Sequence, residues 1–213
     1  MSVEIYKVKE IPIKLHSSFL IILAIFSLFS FYNGGVAAAA QTLLLFLMLF
    51  GSVLLHELGH ALVAEKNGIT TKNITLYPFG GIAYINNLPD DENIEIYVAI
   101  AGPVVNFIIT AISIPLIILG VPLAFELAFI NIVMGVFNLF PAFPMDGGRI
   151  LRALLSKKIG RRKATEKSLL VSNVSAVLFF AMGVYTGWIS LIVVSVFLLI
   201  AAKAERTRLE KII

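Results

Sequence analysis

The sequence contains no cysteine, which excludes disulfides and removes thiolate from the ligands available to any metal. Charge is scarce as well. Asp, Glu, Lys and Arg make up 14% of the 213 residues, where a soluble domain carries roughly 25%. Residues 36–55 hold no charge at all. With 59% hydrophobic residues and a mean hydropathy of +0.94, the chain reads as a polytopic membrane protein. The start Met1-Ser2-Val3-Glu4-Ile5-Tyr6-Lys7 lacks a signal-peptide pattern, so the first apolar run is expected to be a retained span. The net charge of +4 does not argue for nucleic acid, because the cations sit where membrane topology would put them.

Six apolar segments can be drawn, at about 17–32, 36–64, 94–119, 122–140, 168–186 and 188–202. The short breaks Asn33-Gly34-Gly35, Gly120-Val121-Pro122 and Thr186-Gly187 carry turn residues and no Lys or Arg. All 17 Lys and Arg fall on the other side: Lys7, Lys9 and Lys14, then Lys66 and Lys72, then eight between 149 and 167, then Lys203, Arg206, Arg208 and Lys211. The positive-inside rule therefore predicts a cell-membrane protein with both termini in the cytoplasm. Anionic lipid headgroups are the expected neighbours of the 149–167 cluster.

Within the second segment stands His56-Glu57-Leu58-Gly59-His60. Histidines four apart share one face of a helix and can hold one zinc ion. Glu57 then lies beside the metal as a general base for a water. Two His and a Glu are costly in hydrocarbon, so such a cluster points to a functional site. At 1.5 Å per residue, His60 and His56 lie roughly 9 Å and 15 Å beyond Lys66, in the inner half of the membrane. Water must reach them through a polar path between helices.

A catalytic zinc usually takes three protein ligands and keeps one position open. Glu126 falls on the outer side, and Glu95 at the cytoplasmic start of segment three. Asp146 lies in Asn138-Leu139-Phe140-Pro141-Ala142-Phe143-Pro144-Met145-Asp146-Gly147-Gly148, near the cytoplasmic edge. Pro141 and Pro144 prevent a regular helix there, and Gly147-Gly148 allow a sharp turn. Broken backbone at membrane depth is tolerated where it lines a cavity, which makes Asp146 the best third ligand.

These residues resemble the site-2 protease family of intramembrane zinc metalloproteases. The likeness is carried by His56 through His60, by Gly102-Pro103-Val104-Val105-Asn106, and by Asn138 through Gly148, which fits the family's NxxPxxPxDGG pattern at every fixed position. It covers nearly the whole chain and looks most like the compact archaeal and bacterial members. The resemblance implies one zinc on His56, His60 and Asp146, water activation by Glu57, and a role for Asn138 in polarising or binding the scissile peptide.

The expected fold is an all-α polytopic membrane protein of six transmembrane helices. A short membrane-associated β-hairpin or edge-strand segment is expected between helices two and three, from Ile74 to Ile85 around Phe79-Gly80-Gly81. Its edge can pair with an extended substrate. Residues 1–213 are expected to form a single intramembrane metalloprotease domain, without an inserted PDZ-like domain in 65–93 or an appended C-terminal one. Asn106 reads equally as an interhelical hydrogen-bonding residue, and His16 as a headgroup-level polar residue. The expected partners are the bilayer and a transmembrane protein substrate; the oligomeric state is not legible. The competing function is a membrane metal transporter or metal-binding membrane protein, which would usually carry ligands through both leaflets.

Overall fold

The computed structural model describes residues 2–78, 80–85 and 91–210. Phe79 of the expected hairpin and Lys211 of the basic C-terminus lie outside them. The chain divides into two compact units, Met1–Leu88 with Ala101–Gly135, and Pro89–Ile100 with Val136–Ile213.

The first unit begins with two strands that hydropathy did not announce. β1 (Ser2–Val8) and β2 (Ile11–His16) form an antiparallel hairpin. β2 continues in parallel with β3 (Thr71–Tyr77), and β3 pairs antiparallel with β4 (Gly80–Ile85). The sheet order β1-β2-β3-β4 leaves β4 at an edge.

β2 runs straight into α1 (Ser17–Lys66). The His16 side chain caps this helix by accepting the Ser18 N–H through Nδ1 at 3.3 Å, and its ring stacks on Tyr77. His16 is thus a cap that ties the helix start to β3.

α1 is broken at Gly35, whose φ of 68° and ψ of −161° no helix accommodates. The two arms fold back on each other. Phe19 meets Phe50 at 4.3 Å between ring centroids, Phe26 meets Phe46 at 5.7 Å, and the Ser30 and Thr42 hydroxyls bond at 2.7 Å. The second arm carries the sheet: Leu58 and Ala61 pack with Ile11 and Ile74, beside Leu54 and Ala83. That packing sets β4 against the turn of α1 that holds Glu57. The rest of the unit is the later part of α2 (Glu92–Ile118) and most of α3 (Ala124–Asn138).

The second unit holds the start of α2 with α4 (Asp146–Ile159), α5 (Arg161–Thr186) and α6 (Ile189–Glu210). The basic stretch 149–167, expected to connect two spans, is helical almost throughout. It forms most of α4 and the first turns of α5. α5 and α6 make an antiparallel hairpin turned at Gly187, with φ of 72°. Small buried side chains on α5, including Ser168, Ser172 and Ala176, let neighbouring helices approach closely.

Among the described residues, three helices are long and apolar enough to cross a membrane: α1, α2 and α5. α3 is apolar but has 15 residues. The chain is mostly helical, with a small N-terminal sheet. Polarity runs opposite to that of a soluble protein. Phe29, Ile118 and Leu178 face outward, while Ser52, His56, His60, Asn106, Asn131, Ser168 and Ser195 are buried. Such a surface belongs against lipid tails, which lets apolar side chains face outward at no hydrophobic cost.

Candidate metal centre

In the first unit the site grows from the second arm of α1. His56 and His60 are each about 4% exposed and Glu57 is half-buried. The histidine rings stand nearly perpendicular, and their Nε2 atoms are 3.1 Å apart. Two ligands of a tetrahedral ion at the usual zinc–nitrogen distance would stand roughly 3.3 Å apart. The pair fits a shared ion on spacing alone.

α2 passes directly beneath. A Cβ on Gly102 would collide with His60 Nε2 and come within 2.7 Å of His56 Cε1. Gly59, on α1, would meet the Ala101 carbonyl oxygen at 2.9 Å. These two glycines let the helices close to a distance any larger residue would forbid. Gly102, carried in the sequence by its motif, keeps the space around both imidazoles open.

His56 Nδ1 donates to Asn106 Oδ1 at 2.6 Å, so the lone pair of its Nε2 faces His60. The proton is assigned here from the surrounding hydrogen-bond network. Metal-binding histidines are typically oriented in this way, by an acceptor on the other ring nitrogen.

Glu57 meets the sheet instead. Its Oε2 accepts the Ala83 N–H of β4 at 3.2 Å, and a Cβ on Gly81 would stand 2.6 Å from Glu57 Cγ. Because Ala83 donates away from β3, the outer backbone edge of β4 runs past the Glu57 carboxylate.

In the second unit, Asn138 ends α3 and Asp146 begins α4, with an irregular segment between them. Asn138 is half-buried and Asp146 is buried. A Cβ on Gly147 would strike the Leu139 carbonyl oxygen, and one on Gly148 would come within 2.6 Å of the Ala142 carbonyl carbon. The glycine pair thus allows the segment to fold across the start of α4 and fixes where Asp146 begins it. Arg149 Nη1 lies 3.8 Å from Asp146 Oδ1.

Phe143 pins the same segment. Its N–H donates to Ser172 Oγ at 2.8 Å, and its ring lies under the Arg152 guanidinium, 5.2 Å from centroid to Cζ. Arg152 in turn donates to Glu95 from Nε at 3.0 Å and from Nη2, and to Glu205 from Nη1 at 2.6 Å. Arg161 adds a second cation 3.3 Å from Glu95. Glu95, weighed above as a ligand from its depth in the sequence, is therefore a fully buried counter-ion. Arg152, read only as one cation in a basic cluster, is turned inward. The basic-residue pattern could not distinguish it from its exposed neighbours.

The sequence reading also missed Asn131 and Ser52. Asn131 donates to Ser52 Oγ at 2.9 Å and accepts from Asn106 Nδ2 at 2.9 Å. The available signal was an amide in the middle of the apolar run of α3, where a polar side chain is costly unless bonded.

The chain belongs to peptidase family M50, which residues 44–123 and 117–182 match. It is 40% identical over 210 residues to a zinc metalloprotease of Methanocaldococcus jannaschii, covering 96% of this chain and 60% of that protein. It is 36% identical over 126 residues to stage IV sporulation protein FB of Bacillus subtilis, covering 56% of this chain and 43% of that one. The chain spans about half the length of the curated relatives it matches. Among solved structures it resembles the site-2 protease from Methanocaldococcus jannaschii, with a TM-score of 0.72 and 39% identity over 96% of this chain and 95% of that one.

Proposed function

We propose that this chain is an intramembrane zinc endopeptidase that cleaves transmembrane segments of membrane-protein substrates. The observation that carries the reading is the buried His56–His60 pair, at ligand spacing beside Glu57, inside an arm of α1 that is otherwise apolar. Zinc is the metal named for the archaeal relative. We assign it to His56, His60 and Asp146, the pair on α1 and the carboxylate that the sequence motifs single out.

The donor set of two imidazoles and a carboxylate suits a catalytic zinc with one position left open. When bound, zinc supplies Lewis acidity, polarising a carbonyl oxygen and acidifying a water. Glu57 accepts the proton of the attacking water and hands it to the nitrogen of the departing amine. Asn138 binds or polarises the scissile carbonyl through its side-chain amide. Asn138→Ala is expected to keep zinc and thermal stability while losing turnover. Loss of metal or fold in step with activity would assign Asn138 a structural role instead.

The β4 edge beside Glu57 supports delivery of the substrate as an extended strand. Free backbone groups on an edge can bond an unwound segment and hold its peptide near the base. A helical substrate has its peptide bonds satisfied internally, so local unwinding must precede this pairing.

The reading takes 1–213 as one catalytic domain with six spans, its termini and the 149–167 region in the cytoplasm of the cell, because every Lys and Arg falls on one side. Reporter fusions at residues 34, 121 and 187 should all report outside, and a cytoplasmic signal from any one would overturn the six-span order. The function itself is tested in detergent with a co-purified membrane substrate. Cleavage should stop on chelation and return with zinc. Zinc flux across vesicles without cleavage would favour a transporter, a reading to which membership of a peptidase family lends no support.

A further inference from the structure

Four polar side chains of the first unit form a single directed line through an otherwise apolar interior. Ser52 gives its only proton to the Met48 carbonyl at 2.8 Å, so its Oγ must accept from any further partner. That partner is Asn131 Nδ2, at 2.9 Å. The other Nδ2 proton of Asn131 goes to the Leu127 carbonyl at 2.9 Å. Asn131 can then present only its oxygen to Asn106, which it does, accepting from Nδ2 at 2.9 Å. Asn106 is left with its oxygen toward His56 Nδ1, at 2.6 Å.

Each step fixes the direction of the next. Ser52 and His56 stand on α1, Asn106 on α2 and Asn131 on α3, so three helical segments contribute. Gly135, one turn beyond Asn131, brings α3 close to α2, where a Cβ would meet Phe107 at 3.1 Å and Asn106 at 3.4 Å. Asn106 and Asn131 are both fully buried. Leucines would fill that space without polar groups to satisfy, and buried amides cost stability unless every group is bonded.

We infer that Asn131 is a positioning residue for His56. Acting through Asn106, it fixes which imidazole nitrogen carries the proton and thereby aims the Nε2 lone pair at the metal position. Without the Asn131 oxygen, Asn106 Nδ2 keeps Met134 Sδ at 3.4 Å, an acceptor too weak to hold the amide against turning. The turned amide offers His56 an N–H instead of an acceptor, which favours the ring form with its proton on Nε2, the wrong one for a ligand. The inference rests on the reading of His56 as a zinc ligand.

The test uses the full zinc-loaded chain in detergent, with three readouts. These are zinc affinity by chelator competition, the protonated nitrogen of His56 by ¹⁵N imidazole shifts, and thermal unfolding. Asn131→Leu should weaken zinc by about 10–100-fold, as loss of an orienting partner typically does, and should remove the Nδ1–H signature of His56. Asn131→Asp should stay near wild type. Held neutral by burial, it supplies a carbonyl to Asn106 and an O–H to Ser52. Asn131→Ala, the milder change should Asn131→Leu fail to fold, should weaken zinc with the same change at His56. If either Asn131→Leu or Asn131→Ala folds, holds zinc as tightly as wild type and keeps the Nδ1–H signature, the line is packing alone and the inference falls. His56→Ala separates the two levels of the argument. Wild-type zinc affinity in that variant would defeat the ligand reading itself, whereas zinc loss there with normal binding in Asn131→Leu would defeat only the role of Asn131.

Discussion

Glu57→Gln is expected to retain zinc and fold while losing peptidase turnover by roughly 10²–10⁴-fold, the usual contribution of a positioned general base. The substitution is nearly isosteric. Its side-chain oxygen can still accept the Ala83 N–H, and its methylenes still lie against Gly81, so the seat of β4 on α1 should survive. What the amide lacks is a site for the proton of the attacking water. The measurement is single-turnover cleavage of a membrane-protein substrate, with zinc content determined on the same preparation. Cleavage at a near-native rate would remove Glu57 as the base. Loss of zinc together with activity would instead point to disruption of the neighbouring His56.

The strongest sequence signals came from patterns that are local. Hydropathy and the Asn33-Gly34-Gly35 break describe the two arms of α1 well, because a helix in lipid satisfies its own backbone and needs only apolar side chains of sufficient length. The spacing of His56, Glu57 and His60 is local too, since four residues on a helix return to the same face. What the sequence concealed depended on partners far along the chain. β2 alternates Ile11, Ile13 and Leu15 over too short a run to stand out, and it gains its meaning from pairing with β3 some sixty residues later. Asn131 looks like a tolerated polar residue in α3 until Asn106 and Ser52 are seen on either side of it. Arg152 is one of eight cations between 149 and 167, and its contacts with Glu95, Glu205 and Phe143 mark it as buried.

Asp146→Ala is expected to lose most of the bound zinc, with an affinity loss exceeding the roughly 10–100-fold seen when only an orienting partner is removed. The carboxylate has other plausible employment. It opens α4, where the helix dipole favours an acid, and Arg149 stands 3.8 Å away. Asp146→Asn separates these roles. The substitution is nearly isosteric, so the start of α4 keeps the same side-chain volume. It gives up the negative charge that makes a carboxylate oxygen a far stronger zinc ligand than an amide oxygen. Arg149→Ala serves as the opposite control, removing the ion pair and leaving the carboxylate in place. Zinc affinity should fall steeply in Asp146→Asn and hold in Arg149→Ala, while the unfolding temperatures of both stay close to wild type. Full zinc occupancy in Asp146→Asn under chelator competition would take the carboxylate out of the site. His56 and His60 would then have to recruit their remaining ligand from water or from the substrate.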